Sequence, residues 1–384
     1  MDPQLYDLSP LLRLLALGLV VALGPLGWVW LGHRQSAPVR RLQALTVLTL
    51  FLTFDLVLFG AFTRLTDSGL GCPDWPGCYG EASPIAAREQ ISRAQADMPT
   101  GPVTHGKAWI EMIHRYLATG VGALILTLTV ASALQRRRSA LPVSPWLPAA
   151  TLAWVCLQGA FGALTVTMKL FPAIVTLHLL GGLVLLALLT VQAASYRQAV
   201  LGRAPTLVKP GTRFLLVAAF AMLWLQVALG GWVSTNYAVL ACSDFPSCQG
   251  SWWPPMDFAQ GFEWWRELGR TGTGEHISFA ALTAIHFVHR VMAVAVLTLL
   301  GLLAWRLRAD GLGAHGHWIA ALAALQLLTG LSNVVLGWPL LAAIGHTGGA
   351  AALVVALTAA LCESRAGTTA PVSPRAAALP EPQA

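Results

Sequence analysis

The sequence predicts an all-α integral membrane protein, built as two tandem four-helix transmembrane bundles with one extra N-terminal transmembrane helix. Two observations support this fold class. Long apolar runs alternate with short polar segments along most of the chain, and the motifs of the first half return in the same order in the second. Charged residues make up only 11% of the 384 residues, whereas soluble domains carry roughly 25%.

Nine apolar runs are long enough to cross a bilayer. A helix needs about 20 apolar residues to span the hydrocarbon core, and a helix satisfies its own backbone polar groups there. The shorter alternating strands of a membrane β-barrel do not occur in the sequence. The runs are residues 11–30, 42–63, 109–134, 146–166, 174–194, 214–233, 279–305, 318–336 and 340–361.

The distribution of basic residues predicts the orientation of these spans. A net charge of +7 does not indicate a nucleic-acid partner here, because Lys and Arg cluster in alternate loops and in the C-terminal tail, as the positive-inside rule expects. Those segments are predicted to be cytoplasmic and the N-terminus to be outside, in a multi-pass protein of the bacterial inner (plasma) membrane. The first run lacks a basic start and a clear cleavage site, which favours a retained helix over a signal peptide.

The repeat sets the predicted domain boundaries. Each repeat contains four spans, so both halves face the same way. The matched motifs are Cys72 and Cys78 with Cys242 and Cys248, His114-Arg115 with His289-Arg290, and His178 with His346. We predict an extra helix with a basic cytoplasmic linker (1–41), an N-terminal bundle (42–196), a cytoplasmic linker (197–213), a C-terminal bundle (214–363) and a disordered cytoplasmic tail (364–384).

Four histidines lie inside spans at repeat-matched positions: His114, His178, His289 and His346. An ionisable residue inside a span is by default a functional hypothesis. In each half the two histidines come from the second and fourth helices at one depth near the outer face, so each pair can clamp a heme iron from both sides. The alternatives are hydrogen bonds between helices and a zinc site, although zinc requires four clustered ligands.

The axial ligand of the second half is open between two residues. His286 lies three residues before His289 and therefore shares a helix face with it. His289 is favoured, because it aligns with His114 and is followed by Arg290.

Glu111 gives the two halves different chemistry. It precedes His114 by three residues, and His286 occupies the equivalent position in the second half. This asymmetry indicates that one site carries out a reaction while the other transfers electrons. Glu111 is predicted to be an acid/base or a charge stabiliser; the alternative is an interfacial carboxylate that faces water. Arg115 and Arg290 are predicted to bind heme propionates, or alternatively to snorkel to the membrane surface.

The loop cysteines form two close pairs, Cys72 with Cys78 and Cys242 with Cys248. The topology places both loops on the outer side, in an oxidising compartment. Two local disulfides are therefore predicted. Each bond either staples its loop or, close to a heme, relays reducing equivalents.

These motifs together resemble the heme A synthase family. The residues that carry the resemblance are the segment RLTDSGLGCPDWPGC at 64–78, Glu111-Met-Ile-His-Arg115, His178, His289-Arg290 and His346, in order over about residues 42–361. The extra first span departs from the family's eight-helix pattern. The resemblance implies oxidation of a methyl group of heme O to a formyl group, by successive hydroxylations and loss of water, which yields heme A for terminal oxidases.

The resemblance also implies roles for individual residues. The N-terminal half, with His114 and His178, would take the substrate heme, and the C-terminal half, with the other two histidines, would hold a permanent b-type heme. Glu111 matches the family's catalytic glutamate, and Cys72 and Cys78 match its loop cysteine pair.

The implied partners are heme O, membrane lipid, heme O synthase, terminal oxidase assembly factors and an electron acceptor that the sequence does not identify. Two other functions remain as alternatives. A membrane thiol:quinone oxidoreductase would use the loop cysteines but would not need four histidines inside spans. A heme carrier or assembly factor would bind heme without altering it and gives no reason for Glu111.

Overall fold

The computed structural model describes residues 9–138 and 143–367. The helices in these ranges are α1 (Ser9–Gly32), α2 (Pro38–Leu65), α3 (Arg88–Asp97), α4 (His105–Arg138), α5 (Trp146–Thr167), α6 (Pro172–Leu201), α7 (Pro210–Thr235), α8 (Phe258–Gly261), α9 (Phe279–Ala309), α10 (Gly313–Val335) and α11 (Leu340–Cys362). Within the described residues, all except α3 and α8 are long and apolar enough to cross a membrane, which gives nine spans. The nine predicted spans are therefore confirmed, and the chain is a multi-pass membrane protein.

The spanning helices after α1 form two bundles in the predicted order. Helices α2, α4, α5 and α6 make the N-terminal bundle, and α7, α9, α10 and α11 make the C-terminal bundle. The bundles pack through α6 and α2 of one half against α11 and α7 of the other. Leu183 and Leu186 of α6 belong to the same buried cluster as Leu223, Leu300 and Val354 of the C-terminal bundle. The two halves thus share one apolar core between them, and the predicted fold class is confirmed.

The extra helix α1 packs against α4 of the N-terminal bundle through small residues. A Cβ atom on Gly18 would lie 2.5 Å from Cβ of Thr119, and one on Gly120 would lie 3.0 Å from Val21. Small residues allow the backbones of membrane helices to approach closely. The additional helix is therefore seated directly on the helix that carries Glu111 and His114.

A short pair of parallel strands joins the linker between the two bundles to the segment after α11. Strand β1 (Thr206–Val208) pairs with β2 (Ser364–Ala366), and Arg213 donates hydrogen bonds to Leu361 O at 2.9 Å and Ser364 Oγ at 2.6 Å. The prediction of a tail that is disordered from residue 364 is therefore wrong for 364–366, because extended linker backbone supplies hydrogen-bond partners. The remainder of that tail from 368, like residues 1–8, lies outside the described residues.

Candidate functional site

A cavity of about 1060 Å³ lies inside the two bundles. It is lined by all four histidines predicted as ligands, together with Glu111, Arg115, His286 and Arg290. Small-molecule sites usually measure about 300–1,000 Å³, so this space is slightly larger than a usual single-ligand site. The structure therefore gathers most of the predicted site residues around one space. The four loop cysteines are not among the residues that line it.

The histidines stand at matched heights on their helices. His178 and His346 each lie six residues after the first residue of α6 and α11, while His114 and His289 lie nine and ten residues after the starts of α4 and α9. The predicted span 279–305, which carries His289, begins at the same residue as α9. Because α4 and α9 both begin well before their histidines, the two halves present their pairs at the same depth.

Each imidazole packs its Cε1 edge against a glycine of the preceding spanning helix. A Cβ atom on any of these glycines would lie 3.0–3.3 Å from Cε1, closer than an ordinary van der Waals contact. The four contacts are Gly60–His114, Gly162–His178, Gly230–His289 and Gly330–His346. The sequence did not indicate this role for any of the four glycines. Glycines are common where membrane helices pack closely, so nothing in the sequence separates these four from glycines in ordinary helix contacts.

The glycines that follow two of the histidines accommodate glutamines. A Cβ on Gly181 would lie 2.1 Å from Oε1 of Gln158, and a Cβ on Gly349 would lie 2.2 Å from Nε2 of Gln326. Each glutamine amide donates to the backbone carbonyl of the histidine three residues before its glycine. Glycine at these two positions therefore leaves room for the glutamine side chain of a neighbouring helix.

The C-terminal pair fits a metal ion held between two imidazoles. The ring centroids of His289 and His346 are 6.5 Å apart, and two imidazoles with metal bonds of about 2 Å would place their centroids about 6 Å apart. The Thr329 hydroxyl donates to Leu325 O at 2.7 Å and lies 3.0 Å from Nδ1 of His346, so it accepts the Nδ1 proton. That tautomer leaves the Nε2 lone pair of His346 available to iron.

Glu111 is buried at the base of the first disulfide loop. The residue is 4% exposed. Its Oε2 accepts from the backbone N–H of Cys72 at 2.8 Å, and its Oε1 is ion-paired with Arg115. The alternative of an interfacial carboxylate that faces water is therefore wrong.

His286 occupies the equivalent position in the second half, but it can accept fewer hydrogen bonds than Glu111. Its Nδ1 lies 3.3 Å from the backbone N–H of Cys242, and Nε of Arg290 lies 3.2 Å from its Nε2. A neutral imidazole accepts at only one nitrogen, so it cannot accept from both donors at once. A carboxylate at this position accepts both and also balances the arginine charge, which separates the chemistry of Glu111 from that of His286.

Arg115 and Arg290 fasten the disulfide loops to their helices. Arg115 donates to the carbonyl oxygens of residues 74, 76 and 77. Arg290 donates to those of residues 242, 244 and 247 at 2.6–3.0 Å. Arg115 is only 8% exposed, so the snorkelling alternative is wrong for it. Both residues also border the cavity, and propionate binding stays a prediction.

Arg64 is a further cavity residue that sequence reasoning did not single out. It extends from the end of α2 to the other half, where it donates to Ser234 O and stands 4.0 Å above the ring of Tyr237. Arg64 is the first residue of the segment 64–78, and its place in that motif was the one feature of the sequence that could have indicated a role. Arg64 thus joins the two bundles beside the cavity.

The two predicted disulfides, Cys72–Cys78 and Cys242–Cys248, are present. Inside each loop an aspartate accepts backbone N–H groups: Asp74 from residues 79 and 80, and Asp244 from residues 249 and 250. The hydrogen bond from Ser247, together with these N–H groups, lowers the pKa of Asp244 to about 2. The loops are therefore preorganised by the same device in both halves.

Thiol counting checks the disulfides. The cysteines of both bonds are at most 2% exposed, so labelling must follow denaturation. With a maleimide reagent and no reductant, we expect two labels per chain, on the free thiols of Cys156 and Cys362; after reduction we expect six. The Cys156→Ser variant should give one and five. Four or more labels without reductant would contradict the bonds.

Among the described residues, no group of three or more His, Cys, Asp or Glu side chains is placed to hold a metal ion. The zinc alternative thus finds no site in this part of the chain. The donors that remain are paired imidazoles, which suit the two axial positions of a heme iron.

Comparison with known proteins shows the family. The sequence profile of the COX15-CtaA family, described as cytochrome oxidase assembly protein, matches residues 43–358. The chain belongs to this family. It is 39% identical over 318 residues to the heme A synthase of Shewanella oneidensis, with 81% of this chain and 92% of the relative covered.

More distant members give the same result. The heme A synthases of Halalkalibacterium halodurans and Rhizorhabdus wittichii are each 26% identical, over 330 and 347 residues, with 84% of this chain and 95% of each relative covered. The resemblance to the heme A synthase family that the sequence indicated is confirmed. The matched segment of the family begins after α1, so the extra helix lies outside it.

Proposed function

We propose that the chain is a heme A synthase, an oxidoreductase that converts the methyl group of heme O to the formyl group of heme A for terminal oxidase assembly. The observation that carries the proposal is the asymmetric pair of histidine sites, with the buried Glu111 in one half and His286 in the other. The names of the relatives support the same activity.

The proposal divides the work between the halves. His114 and His178 would hold heme O, and His289 and His346 would hold a resident b-type heme. The separation of 6.5 Å between the His289 and His346 rings supports the second pair. His286 is less suited as the axial ligand, since both of its ring nitrogens face donors from the loop and Arg290.

The resident heme, when bound, supplies a centre that accepts and passes on single electrons. The chain's own residues hold and shape the reaction site. The ion pair with Arg115 and the Cys72 N–H fix the Glu111 carboxylate in place, and each oxygen retains a further lone pair for a proton or a water molecule. Glu111 would take up or give up a proton as the methyl group is oxidised, and the disulfide loop, whose Cys72 N–H donates to it, would cover the site.

Pigment extraction tests the activity. Membranes that contain the protein and a supply of heme O are expected to yield formyl-bearing heme A, with b-type heme retained on the protein. Unmodified heme alone would contradict the proposal and favour a carrier. A purified protein without heme would favour the thiol:quinone oxidoreductase. Membranes that lack the protein are the matched control.

We also propose that the sites face the outer side of a bacterial inner membrane. The basic loops support this orientation, since they predict a cytoplasmic location for the opposite helix ends. A reporter fused after Ala366 should be cytoplasmic, and a reporter inserted near Ser92 should be outside. Reversal of either result would contradict the orientation.

A further inference from the structure

The two halves differ in the groups that support their histidines. Gln226 of α7 places its amide 3.1 Å from Nδ1 of His289 and donates to the backbone carbonyl of the same residue at 3.2 Å. The Oε1 atom of Gln226 is buried and lacks a hydrogen-bond partner. When iron binds Nε2 of His289, Nδ1 carries a proton. Rotation of the amide group would then offer Oε1 as its acceptor, in exchange for the hydrogen bond from Nε2 to the His289 carbonyl.

Polar side chains also stand at Nδ1 of two other histidines. The Thr329 hydroxyl lies 3.0 Å from Nδ1 of His346. The amide nitrogen of Gln158 lies 3.1 Å from Nδ1 of His178 and donates to the backbone carbonyl of His178, so the same amide rotation would present its oxygen there. His114 differs from these three, because its Nδ1 is buried and has no hydrogen-bond partner.

A single repeat position accounts for the difference. Gln226 lies four residues before Gly230, which contacts His289; the residue four before Gly60, which contacts His114, is Leu56. Leu56 lines the cavity and offers no acceptor. The repeat therefore replaces a supporting amide by an apolar side chain in the half proposed to take the substrate.

A supporting partner strengthens the bond between a histidine and a metal ion. Histidine ligands usually donate their second N–H to an acceptor, which fixes the ring orientation and raises its basicity, and loss of that partner weakens metal affinity about 10–100-fold. His114 is thus the least supported of the four candidate ligands. A substrate heme must enter and leave in each turnover, whereas a resident heme must stay.

We propose that Leu56 keeps His114 an exchangeable ligand, so that the substrate heme enters and leaves by making and breaking its bond to His114, while Gln226 secures the resident heme. The proposal rests on the assignment of the halves under the proposed function. His114 and Glu111 share one face of α4, three residues apart. A heme released by His114 would therefore expose its iron toward the face of α4 that carries the carboxylate.

Carbon monoxide binding to the reduced protein tests this exchange. In the unchanged protein with heme A in its N-terminal half, we expect carbon monoxide to react with that heme and to spare the b-type heme. The conjugated formyl group shifts the absorption bands of heme A to the red, which distinguishes the two hemes. Leu56→Gln should slow the first reaction about 10–100-fold, as restored support predicts. Gln226→Met should make the b-type heme reactive and speed its transfer to apomyoglobin by a similar factor. Leu56→Met, which stays apolar, is the matched control.

The outcomes separate the inference from the proposed function. Equal carbon monoxide rates for Leu56→Gln, Leu56→Met and the unchanged protein, while extraction still yields heme A, would overturn the inference alone. Failure of Gln226→Met to loosen the b-type heme would also overturn it. A retained b-type spectrum verifies that Leu56→Gln is folded, and Gln226→Met tests the idea independently if it is not. An N-terminal half that binds no heme in any variant would overturn both.

Discussion

Replacement of Glu111 by glutamine is expected to lower heme A formation by at least roughly 100-fold, the usual range for loss of an acid/base group, while heme O stays bound. A carboxylate is not the preferred ligand of heme iron, so its loss should not empty the site. Glutamine keeps the size of the side chain and one acceptor oxygen for the Cys72 N–H or for Arg115, whereas alanine removes both acceptors. Both variants remove the charge that pairs with the buried Arg115, so heme content per chain also reports any loss of folded protein. The measurement is heme identity after extraction, with heme content per chain.

The matched control for this variant is Glu89→Gln. Glu89 lies on α3, its side chain is 84% exposed, and its surface pair with Arg93 should contribute little to stability. We expect normal heme A from this variant. A normal yield of heme A from Glu111→Gln would show that the buried carboxylate only fastens the loop.

Removal of the C-terminal ligands is expected to strip the resident heme. His289→Ala and His346→Ala should each lower b-type heme content by at least roughly 10-fold, since loss of a ligand exceeds the effect of losing its outer partner. Turnover should stop as well, because electrons lose their route. His114→Ala and His178→Ala should leave the b-type spectrum in place. Reduced-minus-oxidised spectra of the four variants make the comparison.

His286→Ala decides which histidine binds the resident iron. If His289 is the ligand, this variant should retain the b-type spectrum while its disulfide loop loses one contact to Cys242. If His286→Ala loses the heme and His289→Ala keeps it, the ligand assignment is wrong. Loss of the b-type heme in His114→Ala, with retention in His346→Ala, would show that the halves are exchanged.

The sequence was sufficient for the spans and for the group of four histidines that line one cavity. Lipid forces apolar runs into helices, so composition alone predicts the nine spans found in the described residues, while the pairing of His114 with His178 stays a prediction of the repeat. The close cysteine spacing predicts local disulfides in the same way. These features depend on the composition and spacing of residues along the chain, which a single sequence displays.

The remaining features depend on contacts between distant segments. The partners of Arg115 are loop carbonyls, and their positions follow from the folded disulfide loop. Gln226 drew no attention because its counterpart is Leu56, so a search for repeated residues passes over it. The pairing of β1 with β2 joins segments separated by more than 150 residues, and neither segment has a length or pattern that predicts a strand.

The β1–β2 pair has a consequence for how such a chain can be enlarged or rearranged. It brings the entry of the C-terminal bundle beside its exit, and this bundle crosses the membrane an even number of times. A unit with adjacent ends can be copied in tandem or circularly permuted without strain at the joint. Because its spans are even in number, each copy keeps the orientation of the original. Gene duplication of one such bundle would therefore give two sites with the same orientation in the membrane. Single substitutions in either copy could then change one site without changing the other.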